Sequence, residues 1–298
     1  MSRIAGAVEG TGTSARMLAT SGPGSATEIA RRCVAEGADL ILVAGGDGTL
    51  NEVANGMAFS DVPMGVLPAG TANVLAMELG LGRHAAKAAV MLPDWVPVRV
   101  SIGALLNETD GRRRYFLLMA GAGLDAHIVY QIDATLKNAF GKAAYWLTSF
   151  GQIGRRLPAF AVDVDGERYE CSFALASRVR NYGGDLEIAQ EVSLIDNHFE
   201  LVLFEGDTTF PYLKYFAGVL TRRLDHMRGV TILQAKSIRF TAPSDSRIYV
   251  QVDGEFAGTL PLSVDIVPRA LTLLVPPTYR SRETALVREH AWTPSPSG

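Results

Sequence analysis

The sequence predicts a two-part fold: an α/β unit with a parallel sheet over residues 1–100, then an antiparallel β-rich unit over 101–276. Three observations carry this. Asp39 to Glu52 runs from an apolar, β-branched stretch through Gly45, Gly46 and Gly48 into a helical pattern, as a buried parallel strand does when it turns into a helix. The same rhythm repeats at 64–79. Beyond residue 100 the texture becomes short strand-like runs with Asp-Gly pairs at 110–111, 165–166 and 253–254, the signal of tight hairpins.

In chain order, residues 1–24 are weakly patterned, and Ser21-Gly22-Pro23-Gly24 is a loop. Residues 25–36 read as an amphipathic helix stopped by Gly37. The strand at 40–44 follows. Thr49 and Glu52 have capping-box spacing, so the next helix is expected to start at Thr49. Asp61-Val62-Pro63 turns the chain into a short strand, Met64 to Leu67. Pro68-Ala69-Gly70-Thr71-Ala72-Asn73 is a second small-residue turn, Val74 to Leu79 is a helix ended by Gly80, and another helix covers 84–92. This βαβα order implies a parallel sheet. Within the β-rich part, a long aromatic helix is expected at 125–157 (Tyr130, Phe140, Tyr145, Trp146, Phe150) and a shorter one at 209–227. Residues 291–298 read as a disordered tail.

Composition narrows the class. Hydrophobic content of 48% and charged content of 20% are those of a globular protein, and a net charge of −3 gives no overall attraction to nucleic acid. Cys33 and Cys171 offer neither a disulfide framework nor metal spacing, which fits a reducing cytosol. No apolar leader is visible between Met1 and Met17, and no apolar run approaches the ~20 residues of a membrane span. Contact with a membrane is expected to be peripheral.

The chemistry concentrates in Gly45-Gly46-Asp47-Gly48-Thr49 and Pro68-Ala69-Gly70-Thr71-Ala72-Asn73. A strand, a glycine turn and a helix start present bare N–H groups to an anion. Two such turns at the carboxyl ends of neighbouring strands are expected to cradle one polyphosphate between two helix N-termini. An aspartate beside phosphate is repulsive unless a cation intervenes or a proton must be removed, so Asp47 points to Mg-nucleotide chemistry; the simpler alternative is an aspartate that caps a helix. No Gly-Lys-Ser/Thr follows, so this is not a P-loop. Gly121-Ala122-Gly123 mimics a dinucleotide fingerprint, but its hairpin surroundings make close packing the better reading. Val164-Asp165-Gly166-Glu167 and Val252-Asp253-Gly254-Glu255 are identical and both read as hairpin turns. Arg168 neutralises Glu167, whereas Phe256 is expected to leave Glu255 less solvated and poised as a base. Arg112 to Tyr115, Arg155-Arg156 and Phe210 to Arg223 mix basic and aromatic residues as interfacial helices do, and equally as solvated faces over a core do. The five histidines show no metal spacing.

Over residues 16–276 these motifs resemble the bacterial diacylglycerol kinase-type lipid kinases, relatives of sphingosine and ceramide kinases and, more distantly, of NAD kinases and phosphofructokinases. The carriers are Gly45 to Val53 and Gly65 to Asn73, with Ala120 to Ala126, Asn181-Tyr182-Gly183-Gly184 and Val252 to Glu255 as weaker ones. The resemblance implies an α/β nucleotide domain, a β-sandwich lipid domain, and a C-terminal segment (277–290) returning to the first. It implies transfer of the ATP γ-phosphate to a lipid hydroxyl by a cytoplasmic, membrane-visiting enzyme, and leaves a homodimer open. Gly45, Gly46, Asp47, Gly48, Thr49 and Asn51 would hold the nucleotide, with Gly70, Thr71, Asn73 and Thr20. Asp47 would act with Mg²⁺ and Glu255 would be the base. Asp196, with Ser193 and His198 through their carbonyls, matches a structural metal loop, and Glu167 only turns a hairpin. The chain also departs from the pattern. Such kinases begin with a strand ending in Asn-Pro and a glycine, and this chain opens past that point, so its sheet is expected to lack that strand. Ser101 stands where many relatives have Asp, Thr148 where some have Lys, and Ile195 where an acid is frequent. These departures motivate an alternative, a non-catalytic lipid-binding protein of the same fold. A kinase of a soluble nucleotide such as NAD is a third reading.

Overall fold

The computed structural model describes residues 2–12, 14–123, 157–182, 186–189, 191–206, 214, 215, 218, 219, 221 and 223–283. The long helix expected at 125–157, most of the one at 209–227, Gly183-Gly184, Thr148 and the tail at 291–298 fall on residues outside that set.

The first hundred residues form α1 (Ser2–Glu9), α2 (Ser25–Ala35), β1 (Ile41–Gly45), α3 (Asp47–Met57), β2 (Pro63–Pro68), α4 (Val74–Glu78) and α5 (Ala85–Val90), leading into β3 (Val96–Asn107). α3 starts at Asp47, two residues before the expected Thr49, with Gly46 as its N-cap. Thr49 and Glu52 do not close a capping box. Glu52 instead reaches α2, accepting the Gly24 N–H at 2.8 Å and the Ala26 N–H at 3.2 Å, while the Thr27 hydroxyl donates to the Glu52 carbonyl at 2.8 Å. The reason lies in α2: its N-cap is Gly24, at φ 81°, which has no side chain to serve the orphan N–H groups. A carboxylate from the neighbouring helix does so. Leu50, Val53, Ala54 and Met57 share the buried stripe of α3. Full burial of each Leu- or Met-sized side chain is worth about 2 kcal/mol.

The remaining strands are β4 (Arg113–Phe116), β5 (Met119–Gly123), β6 (Phe160–Val164), β7 (Glu167–Cys171), β8 (Phe173–Ser177), β9 (Asn181–Tyr182), β10 (Leu186–Glu187), β11 (Phe199–Phe204), β12 (Val230–Ala235), β13 (Ser237–Thr241), β14 (Tyr249–Val252), β15 (Glu255–Thr259) and β16 (Leu262–Val275). One sheet has the order β1-β2-β16-β13-β6-β7, with β3 paired to β16 and β4 to β3. The second has the order β12-β11-β8-β5-β14-β15. β1 and β2 are parallel, and the end of β16 continues that parallel pairing on β2 (Thr272 opposite Pro63), while β16 runs antiparallel to β3 and β13. The first layer is therefore mixed, and the long strands β3 and β16 run from it into the β-rich part. Residue 100 lies inside β3. Among the described residues β1 stands at the sheet edge, paired only with β2.

The two sheets face each other across Phe116, Phe160, Phe199 and Phe240, with Ala120, Ala122, Ala174 and Ala176 letting the layers approach. Both faces of β11 are covered: Phe199, Leu201 and Leu203 point into that layer, while Val202 and Phe204 join the other cluster. This is why Phe199 to Phe204 reads as a run without alternation. Gly121 to Gly123 lie in β5, paired antiparallel with β8 and β14, so the fingerprint likeness is a strand rather than a nucleotide turn. Asp165-Gly166 and Asp253-Gly254 carry φ of 51° and 87°, and 50° and 78°, the left-handed pair that two-residue hairpins require. The Asp110-Gly111 pair sits in a longer loop, with Gly111 alone at positive φ.

Candidate active site

Parallel pairing aligns the ends of β1 and β2, Gly45 opposite Pro68, so the two small-residue turns leave the sheet side by side. They touch: the Ala69 N–H donates to the Gly45 carbonyl at 3.1 Å, and a Cβ on Gly70 would lie 2.4 Å from the Gly46 Cα. Thr49 folds back over Gly45, where a Cβ would meet the Thr49 Cβ at 2.8 Å. Asn73, at φ 52°, is buried and staples the second turn, its Oδ1 accepting the Gly70 N–H at 2.8 Å and its Nδ2 donating to the Gly70 carbonyl at 2.9 Å. Its side chain therefore shapes the cradle. Gly70 and Thr71 stay exposed on the rim, as does Thr20 on the loop that leads to the Glu52-capped α2.

Asp47 joins the two turns. Its carboxylate accepts the Val74 N–H at 3.0 Å and the Leu75 N–H at 3.1 Å. Burial pushes its pKa above the usual carboxylate value, while these backbone donors pull it down. The expected pair of open helix N-termini is thus corrected. The N-terminus of α4 is occupied by Asp47, which leaves the N-terminus of α3 as the candidate anion site. The reason is that α4 has five residues and no side-chain cap of its own.

The second domain brings in the other carboxylate. Glu255 opens β15 just past the Asp253-Gly254 turn, and a Cβ on Gly48 would lie 2.6 Å from the Glu255 Oε1. Gly48 is the opening through which Glu255 reaches the start of α3. Arg114 of β4 holds the other carboxylate oxygen, Nη2 to Oε2 at 2.5 Å, with the two side chains 33% and 42% exposed. Glu255 is indeed less exposed than Glu167, but Gly48 and Arg114 are responsible; Phe256 points outward and is 43% exposed. Glu167 bonds the Tyr169 hydroxyl at 2.5 Å on the surface.

Three further residues set this geometry. Asp253 is buried and accepts the N–H groups of Leu117, Leu118 and Met119, each at 2.9 Å, which fixes the hairpin carrying Glu255. Burial pushes its pKa up to about 6, with those donors opposing and the charge of Asp47 adding. Asn55 exchanges two bonds with the Tyr115 backbone, at 2.9 and 3.0 Å, locking α3 to the strand that bears Arg114. Asn51, one turn earlier, is buried, with its Oδ1 on Asn55 and its Nδ2 unpartnered among the described residues. Asp253 belonged to a visible motif and Arg114 to a visible basic run; Asn55 had no sequence signal beyond its place on the Asn51 face of α3.

The C-terminal residues 277–283 lie against α4. Arg282 Nη2 donates to the Glu78 carbonyl at 3.2 Å and to Glu78 Oε1 at 3.0 Å, and Arg180 Nη2 meets the buried Glu283 at 2.6 Å. Ser193, Asp196 and His198 lie in the loop before β11, which meets the same C-terminal segment through the Tyr279 hydroxyl, 3.3 Å from Ser193 Oγ. Asp196 Oδ2 accepts the Ser193 N–H at 2.8 Å, and His198 Nε2 is buried without a partner among the described residues. The described residues contain no group of three His, Cys, Asp or Glu side chains placed to hold a metal.

Residues 1–104 match the diacylglycerol kinase catalytic domain and residues 119–275 match the YegS C-terminal NAD kinase beta sandwich-like domain. The chain is 30% identical to a diacylglycerol kinase of Bacillus subtilis (strain 168) over 249 residues, 82% of this chain and 80% of that protein. It is 28% identical to a diacylglycerol kinase of Mycobacterium tuberculosis (strain ATCC 25618 / H37Rv) over 257 residues, 84% and 81% of the two. Its fold is similar to a crystal structure of a diacylglycerol kinase from Bacillus anthracis str. Sterne, with a TM-score of 0.70 at 24% identity over 88% of this chain and 85% of that one. An NAD kinase from Archaeoglobus fulgidus in complex with ATP shares it more distantly, with a TM-score of 0.52 at 14% identity over 96% and 94%.

Proposed function

The chain belongs to the diacylglycerol kinase family, a phosphotransferase family with alcohol acceptors, and on that premise we propose that it transfers the γ-phosphate of ATP to the hydroxyl of a diacylglycerol-like lipid. One observation carries the reading: Glu255, from the second domain, stands at Gly48 on the open N-terminus of α3. A base and a phosphate-binding turn meet there.

Phosphoryl transfer needs mainly positioning and charge neutralisation. The first-turn N–H groups of α3 hold phosphate oxygens, with Asn51, Gly70 and Thr71 around them and Thr20 on the facing loop. Arg114 keeps Glu255 in place. Glu255 takes the proton of the lipid hydroxyl as its oxygen bonds to the γ-phosphorus and the bond to the β-phosphate oxygen breaks, releasing ADP. A Mg²⁺ ion would be held by the substrate phosphates with Asp47 as the adjacent carboxylate. Bound there, the ion would supply charge neutralisation. Exposed Phe256 beside Glu255 supports a greasy acceptor presented at a membrane surface; no helix among the described residues is long and apolar enough to cross one.

The test is γ-labelled ATP with Mg²⁺ against diacylglycerol, phosphatidylglycerol, a polyprenol, a sphingoid base and NAD in mixed micelles. Label is expected in diacylglycerol or a close analogue; transfer to no lipid overturns the reading. Gly70→Ala is expected to force the two turns apart, because the new Cβ meets backbone at Gly46. It should raise KM for ATP roughly tenfold and cost about 2 kcal/mol of stability, read by ATP titration and thermal melting.

A further inference from the structure

The loop Ser193-Leu194-Ile195-Asp196-Asn197-His198 has the outline of a metal loop, yet its Asp196 carboxylate and Ser193 carbonyl are turned into a local bond of their own. Asp196 closes a local turn, its Oδ2 on the Ser193 N–H and its own N–H on the Ser193 carbonyl at 3.1 Å. The Leu194 carbonyl accepts the Ser101 N–H at 3.3 Å and Arg178 Nη2 at 2.6 Å. The Leu194 N–H donates to the Tyr279 hydroxyl at 3.3 Å, and the Ser101 hydroxyl donates to Asn197 Oδ1 at 2.8 Å. Ile195 puts an aliphatic side chain where a further carboxylate would be needed. These residues do not fit a bound divalent ion.

What fills the centre is Arg178. It follows β8, is fully buried, and spans both sheets and the loop: Nη1 donates to the Ser101 carbonyl of β3, Nη2 to Leu194, and its own backbone N–H to the Leu118 carbonyl at 2.8 Å. Asp196 and Asp253 are the carboxylates whose charge acts on it. We infer that the guanidinium of Arg178 is the cation that holds this loop, in place of a metal ion. A fixed buried positive charge repels a second cation, and it ties the Leu194 carbonyl of the loop to the Ser101 carbonyl of β3. Burial lowers its pKa only to about 10, so it stays charged at neutral pH. The loop is then a permanent clamp between the sheets, indifferent to divalent ion supply, and any Mg²⁺ dependence of turnover belongs to the nucleotide site alone.

The test uses the full chain without nucleotide. Melting temperature is expected to be the same in EDTA and in millimolar Mg²⁺; a fall on chelation of about 5 °C or more overturns the inference. Equilibrium dialysis with Mn²⁺ should give equal binding to wild type and Asp196→Asn; loss of one equivalent in the variant also overturns it. Arg178→Met is expected to melt roughly 10 °C lower in either medium, because partnered carbonyls and Asp196 lose their cation. An Arg178→Met protein as stable as wild type removes Arg178 from the role. If that variant does not fold, the wild-type and Asp196→Asn comparisons still decide.

Discussion

Glu255→Gln is expected to lower kcat by about a thousandfold, the usual range for removing a general base, while leaving the fold almost untouched. The side chain is 42% exposed and its contacts are Arg114 and the open face of Gly48. An amide keeps one oxygen for Arg114 and fills the same volume. The exposed ion pair is worth under about 1 kcal/mol, so the melting temperature should move by only ~2 °C. KM for ATP should hold, because the N–H groups of α3 do not depend on this carboxylate. Steady-state kinetics with thermal melting check both halves. A variant within tenfold of wild-type kcat would remove Glu255 from the proton-transfer role.

Asp47→Ala should likewise lose at least a thousandfold in turnover, an oxyanion-site order of effect, and here the structure changes what else is expected. From the sequence alone the variant should fold normally. In the structure Asp47 accepts the Val74 and Leu75 N–H groups and so caps α4, whose N-cap Asn73 makes no side-chain cap bond. Loss of a cap costs about 1–2 kcal/mol, so a fall of several degrees in melting temperature should accompany the loss of activity. Asp47→Asn separates the two roles, since its amide oxygen caps α4 but carries no charge. It should recover most of the stability and little of the activity. Recovery of activity along with stability would make Asp47 a structural residue only.

Much of the site was legible because it rests on local rules. Glycine turns after apolar strands announce an anion site through chain geometry, and Asp-Gly pairs announce hairpins through positive φ. What failed was long-range. Glu52 fits a local capping box, yet it serves Gly24 and Ala26 across 28 and 26 positions of chain, because their helix lacks a side-chain cap. Asp47 reads as a ligand group, and the structure adds a second contact the sequence does not announce, the Val74 and Leu75 N–H groups of a neighbouring turn. The boundary at 100 falls within β3, because a strand's own pattern does not say which sheet its two ends will join.

The sequence by itself determined the order of elements, the two phosphate-type turns and the identity of the duplicated Asp-Gly-Glu hairpins. Nothing in the two tetrapeptides distinguishes Glu167 from Glu255, since identical residues have identical local physics. The resemblance assigns the functional place to Glu255, and tertiary structure supplies the two different settings. The pairing of β14 with β5, and the grip of Asp253 on Leu117 to Met119, carry one copy to Gly48, where the missing Cβ leaves room for a carboxylate. The other copy ends on the surface beside Tyr169.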